Sequence, residues 1–196
     1  VDTVRLHGLH LPMLSHVTTA PDVTLHEAGK FARLALGGNP TVSELMWLED
    51  YETLTPLGEE LIGIRSAFLS AKRVRNAYLG YATQQFKRLE SREDGTFGPD
   101  LAKRTAKHAR HLHRLLIQGF ELWGSGQLIL ELADPATVRE FGDLVAAGDL
   151  DLAQRMLSAY EDAFDNTPTA LPDEPDEQAV EAWLLKVRAT FYDQPA

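Results

Sequence analysis

The chain contains no cysteine. That excludes disulfides, thiolate metal sites and thiol nucleophiles, and it fits a reducing cytoplasm. It also lacks any apolar run long enough to span a bilayer and any basic-then-apolar opening segment, so the expectation is a cytoplasmic protein with no membrane partner. A Gly-x-Ser-x-Gly elbow, a Walker-type phosphate loop and a His-Glu-x-x-His pair are all missing. Hydrolase and kinase readings therefore have no residues to rest on.

What is present is an apolar fraction of 44% in 196 residues, enough for one substantial core or two small ones. The formal net charge of −10 is unevenly distributed. Residues 1–120 carry 15 Lys and Arg against 13 Asp and Glu, whereas residues 121–196 carry 4 against 16. Between Arg65 and Arg114 the balance is 12 basic to 4 acidic. A polyanionic partner would meet the middle of the chain, or the acidic end offsets the basic helices and keeps the protein dissolved.

Val4 to Leu11 alternates weakly and is expected to be a strand ended by Pro12, with a second, short strand around Val23 to Leu25. Glu27 opens a helix whose apolar face is Ala28, Phe31, Ala32, Leu34 and Ala35, and Gly37-Gly38-Asn39-Pro40 stops it. Thr41 reads as the N-cap of the next helix, with Glu44 at capping-box spacing. Beyond Pro56 helices are expected near 56–64, 70–91, 99–123, 135–147, 149–165 and 175–192. Those at 70–91 and 99–123 are long and joined by a short Gly-rich turn, so they should pack as an antiparallel hairpin. The expected fold class is α+β, predominantly α.

The order of elements in Asp22 to Leu48 (DVTLHEAGKFARLALGGNPTVSELMWL), with its Asn-Pro punctuation, resembles one family closely. The resemblance continues at similar spacing through Leu57 to Ser70, Val74 to Leu89 and Lys103 to Leu116. The family is a group of nucleotidyltransferases of the DNA polymerase β superfamily, the type also found beside RNA ligases in RNA repair. It implies a remnant of a mixed nucleotidyltransferase sheet in residues 1–55, the C-terminal part of a catalytic domain, followed by a helical domain in 56–196. It further implies transfer of a nucleoside monophosphate from an NTP to a hydroxyl, such as an RNA end, with Mg²⁺ held by acidic side chains.

The family's opening motif, a Gly-Ser turn followed by Asp-x-Asp before a strand, is not found at this N-terminus. Asp2 could be the end of such a motif, yet it lies six residues before Gly8, and registering on Gly8 puts Thr3 and Arg5 in the carboxylate positions. A truncated gene product and a degenerate relative both fit. Either way the chain as given is expected to be inactive, and strands that have lost sheet neighbours favour self-association.

By this resemblance Asp22 and Glu27 are the candidate catalytic carboxylates and Asp22 with Asp2 the candidate metal ligands. Strand alternation puts Asp22, Thr24 and His26 on one face, with Val23 and Leu25 packing inward. For Glu27 the helix dipole alone is a sufficient reason for an acidic first turn. Lys72 and Arg73, at the start of one long helix, and Lys107 and Arg110, on the other, are the candidates for holding the NTP phosphates. Lys103, Lys107, Arg110, His111 and Arg114 recur every three to four residues and share one broad face. Tyr78 and Tyr81 fall on a core stripe and read as packed anchors. His108 shares a stripe with Leu101, Thr105, Leu112 and Leu115 and reads as a hydrogen-bonded core residue. The competing function is a helical module without catalysis that binds nucleic acid or nucleotide, or docks on a protein.

Overall fold

The computed structural model describes residues 15–91 and 99–192. The expected strand at Val4 to Leu11 and the candidate ligand Asp2 lie outside the described residues. The chain divides into two compact units. Among the described residues, 15–73 and 172–192 form one and 74–91 with 99–171 the other.

In the first unit β1 (Ser15–Thr19) and β2 (Asp22–His26) form an antiparallel hairpin, in register from Ser15 opposite His26 to Thr19 opposite Asp22. Ala20 and Pro21 make the turn, and the Thr18 hydroxyl donates to the Pro21 carbonyl at 2.7 Å. Among the described residues this pair is the whole sheet. Val23 and Leu25 were expected to pack inward, but Leu25 and Val17 are each 61% exposed and Val23 is exposed too. A two-stranded ribbon buries a face only where another layer covers it, and no described element covers either face here. β1 is not evident in the sequence, because Ser-His-Val-Thr-Thr is short and mostly polar. Its β-branched run was the available signal.

Glu27 caps α1 (Ala28–Leu36), accepting from the Lys30 N–H at 3.0 Å. Ala32 and Ala35 are buried, as the apolar stripe requires. The helix ends where Gly38 takes φ of +73°, and the Gly38 and Asn39 N–H groups close on the carbonyls of Ala35 and Leu34. The next helix, α2 (Pro40–Glu44), is capped by Asn39 and not by Thr41. Asn39 Oδ1 accepts from the Val42 N–H at 3.1 Å. Pro40, with its fixed φ and no N–H to satisfy, takes the first helical position and moves the cap back by two residues. A 3₁₀ turn (Leu45–Trp47) follows, then α3 (Pro56–Gly63) capped by Thr55, and a second 3₁₀ turn (Arg65–Phe68).

The C-terminal helix α8 (Glu177–Tyr192) returns to complete this unit. Trp183 Nε1 donates to the Leu57 carbonyl at 2.9 Å, Lys186 pairs with Glu60, and Arg188 pairs with Glu27 at 3.0 Å. Val180 and Leu184, one turn apart, are fully buried. Arg188 continues that same stripe at only 4% exposure.

The second unit is helical. The helix α4 (Ala71–Glu90) starts in the first unit and runs into the second, where it forms a hairpin with α5 (Pro99–Ser125). Gln85 Oε1 and His108 Nδ1 meet at 2.7 Å across the hairpin, so His108 is the hydrogen-bonded residue its stripe implied. Tyr78, 1% exposed, lies directly on Gly119. On α5 also pack α6 (Pro135–Ala146) and α7 (Leu150–Asn166). Phe120 meets Tyr160 and Phe164 edge-on, and Trp123 does the same with Phe164. Part of the acidic excess at this end of the chain has a local purpose. Asp134 and Asp149 are the N-caps of α6 and α7, accepting from backbone N–H groups that no helix turn can satisfy.

Candidate functional site

Asp22 begins β2 beside the hairpin turn and is exposed to solvent. Glu27 has other commitments. Its carboxylate receives the Lys30 N–H and the guanidinium of the buried Arg188. Burial alone would push its pKa up, but the Gly29 N–H, Arg188 and the Lys30 N–H together hold it below the ordinary carboxylate value. It is a charged cap tied to α8. Among the described residues no three His, Asp or Glu side chains gather at metal-ligand spacing. Asp22 and Glu27 alone therefore do not fit the divalent metal that the resemblance implies, and no chemical step is derived through it.

The four candidate phosphate cations fall in two places. Lys72 and Arg73 belong to the first unit, Lys107 and Arg110 to the second. Arg73 is engaged at both ends of its guanidinium, donating to the Leu36 carbonyl at 3.1 Å and to Glu177 at 2.6 Å. Its neighbour Arg75 makes a two-pronged contact with Asp165 at 2.8 and 2.9 Å. Lys72 is exposed. Arg110 lies over Gly142 of α6 and reaches Asp143 at 3.6 Å.

Lys107 stands in a different setting. Asp100, Lys103, Arg104, Lys107 and Arg110 line an open cleft of about 450 Å³ along α5. Lys103, Arg104 and Lys107 are exposed and have no ion-pair partner among the described residues. Next to them His111 has its ring pKa held below the ordinary histidine value, by burial first and then by the charges of Arg114, Arg88 and Lys107. Arg88 comes from α4, so both arms of the hairpin contribute cations to one surface. Arg104 joins this face in addition to the residues expected there, and its place three residues before Lys107 is the sequence signal for it.

The histidines of the His108-x-x-His111-x-His113 run point to different surroundings. His113 is 4% exposed, its ring 4.6 Å from that of Phe141, and its Nδ1 is buried without a hydrogen-bond partner. Burial holds its pKa below the ordinary value of 6.5. The unfolded chain therefore takes up a proton near pH 6.5 that the folded chain resists. Stability from this group is complete above that pH and is lost as the pH falls below it. Between pH 7.5 and 5.5 the second unit should lose stability on this account. Urea midpoints at the two pH values check it in the native protein and in His113→Gln. An equally steep loss in the variant would assign the effect to other groups.

No curated protein and no solved structure matches the chain. A family model does match, over residues 14–145, and its description is the RNA repair pathway DNA polymerase beta family. The match takes in β1, β2, the first helices, the whole α4–α5 hairpin and most of α6, about two thirds of the sequence. The chain belongs to the RNA repair pathway DNA polymerase beta family.

Proposed function

We propose that this protein serves nucleotidyl transfer in RNA repair, in which a hydroxyl, such as that of an RNA end, attacks the α-phosphate of an NTP and pyrophosphate leaves. The family match over residues 14–145 carries this reading. Polymerase-β-type transferases take a divalent metal and an NTP, and the residues described here do not make a metal site. The division of labour proposed is that this chain contributes the helical scaffold and the cations, while the metal-binding carboxylates are not among the residues described. A second reading, binding of nucleic acid without catalysis, is favoured by Lys103, Arg104 and Lys107 of α5, which are exposed and have no ion-pair partner among the described residues. The exposed Val17, Val23 and Leu25 on the hairpin support association with a second copy.

Incubation of this chain with labelled ATP, CTP, GTP or UTP, Mg²⁺ and an RNA acceptor is expected to give no label transfer. A product that carries a Gly-Ser and Asp-x-Asp segment ahead of Val1 should transfer label. Failure of that longer product overturns the transferase reading. Transfer by the present chain that Asp22→Ala abolishes overturns the proposed division of labour.

A further inference from the structure

Seen down the axis of α5, at 100° per residue, Lys103, Arg104, Lys107, Arg110, His111 and Arg114 occupy one third of the circumference. From Lys103 to Arg114 the strip runs about 16 Å at 1.5 Å per residue. Cations three and four residues apart on a helix repel one another, so the strip is unfavourable by itself. Among the described residues, the acidic groups nearby do little to offset it. Asp143 engages Arg110 at the edge of the strip at 3.6 Å, and Asp100 sits at its start. The cleft is open, the side chains of Lys103, Arg104 and Lys107 are exposed along it, and no Phe, Tyr or Trp is among its described lining residues.

We propose that this strip, Lys103, Arg104, Lys107 and His111 of α5 with Arg88 of α4 beside them, binds the phosphodiester backbone of a nucleic-acid strand, the RNA acceptor of the reading above. The inference deepens that reading by naming the partner of this face, and rests on it for the choice of RNA. Three features favour a strand over a nucleotide. The charge is spread over about 16 Å along the helix, enough to meet more than one phosphate of a strand, where a triphosphate would need convergent cations. The lysines and arginines lie along one broad face of α5, with Arg88 of α4 beside them, a continuous surface that suits the phosphates of one strand. Among the described residues that line it there is no aromatic platform, so they can position a strand but not read its bases.

Fluorescence anisotropy of a labelled 12-nucleotide RNA, titrated with the full chain at several salt concentrations, tests the proposal. Binding should weaken steeply with salt. The triple variant Lys103→Gln, Arg104→Gln, Lys107→Gln should lose at least tenfold in affinity, and its log–log salt slope should fall by about 2, at roughly 0.7 per phosphate contact. These side chains are exposed and unpaired among the described residues, so the variant should keep the native helical circular dichroism, which is measured alongside. Arg139→Gln with Arg155→Gln, on α6 and α7, should stay within threefold of the native protein. A 12-nucleotide DNA should bind within a few-fold of the RNA, because the phosphates are shared, and ATP at equal phosphate concentration should not displace either.

Undiminished RNA binding by the triple variant, or no binding at low salt, overturns the proposal, the latter pointing to an acidic protein surface instead. Displacement by ATP at equal phosphate would make the strip a nucleotide site and overturn it equally. Binding is read without turnover. A failure of nucleotidyl transfer therefore leaves the strip standing, and a failure of the strip leaves the transferase reading standing.

Discussion

Gly119→Ala is expected to destabilise the second unit by about 2 kcal/mol, a large effect for one methyl group. A Cβ on Gly119 would stand 2.6 Å from both Cβ and Cγ of Tyr78 and 2.8 Å from its Cδ1. Tyr78 is 1% exposed, and its Cβ is fixed by the α4 backbone, so it has nowhere to turn. The two arms of the hairpin must part instead. With nothing free to move aside, overpacking of this kind reaches the upper end of its usual range, about 3 kcal/mol, and the better helix propensity of alanine returns about 1 kcal/mol of it. Two other glycines provide the controls. At Gly142 the added carbon would meet Arg110 Cγ at 2.4 Å, but that side chain is 41% exposed and can swing away. The Ala106 carbonyl at 3.0 Å still resists, so Gly142→Ala should cost less than Gly119→Ala. Gly80 has nothing within 4 Å, and Gly80→Ala should stabilise by about 0.5–1 kcal/mol. Urea titrations followed by helical circular dichroism and by Trp123 fluorescence rank the three. A Gly119→Ala protein as stable as Gly80→Ala would sink the close-contact account.

The hairpin was legible in the sequence, because its apolar stripes at helical spacing and the Gly95 to Pro99 break are local signals. The ends of α6 and α7 were legible for the same reason, with Asp134-Pro135 and Asp149 marking starts that the structure confirms to within a residue. That Gly119 is the point where the two arms touch was not, since a glycine in mid-helix has no pattern of its own. The return of α8 to the first unit was equally hidden. It depends on pairings such as Arg188 with Glu27 and Trp183 with Leu57, more than a hundred residues apart. A local signal for Arg188 did exist, as it continues the Val180, Leu184 stripe at an i+4 step and so is a cation placed on a buried face. At the candidate site the sequence shows which residues are cations but not what they pair with. Arg73 and Arg75 are cations at a helix start in the sequence and ion-paired anchors in the structure, while Lys103 and Lys107 look the same in sequence and stand exposed.

Glu27 is where this difference has the largest consequence. Resemblance marks it as a candidate catalytic carboxylate, whereas its contacts make it the partner of a guanidinium that is 4% exposed. Glu27→Ala removes a helix cap and leaves Arg188 buried without this carboxylate, and breaking one side of a buried pair costs about 3–5 kcal/mol. Glu27 itself is 34% exposed on its side chain, so the lower end, about 3 kcal/mol, is expected. Glu27→Gln keeps an acceptor for the Lys30 N–H but not the charge, and should lose less. Adding Arg188→Met to Glu27→Ala should restore much of the stability, because replacing both partners by packed apolar groups is often close to neutral. Unfolding in urea gives the three values, and amide exchange in α1 and α8 shows whether the loss is local to the first unit. The carboxylate's stabilising effect is present above the ordinary carboxylate pKa and is lost as the pH falls through its lowered value, so the gap between native protein and Glu27→Ala should close in acid. A Glu27→Ala protein within about 0.5 kcal/mol of the native one would show that the pair holds nothing together. The carboxylate would then be available for the chemistry that the family resemblance suggests.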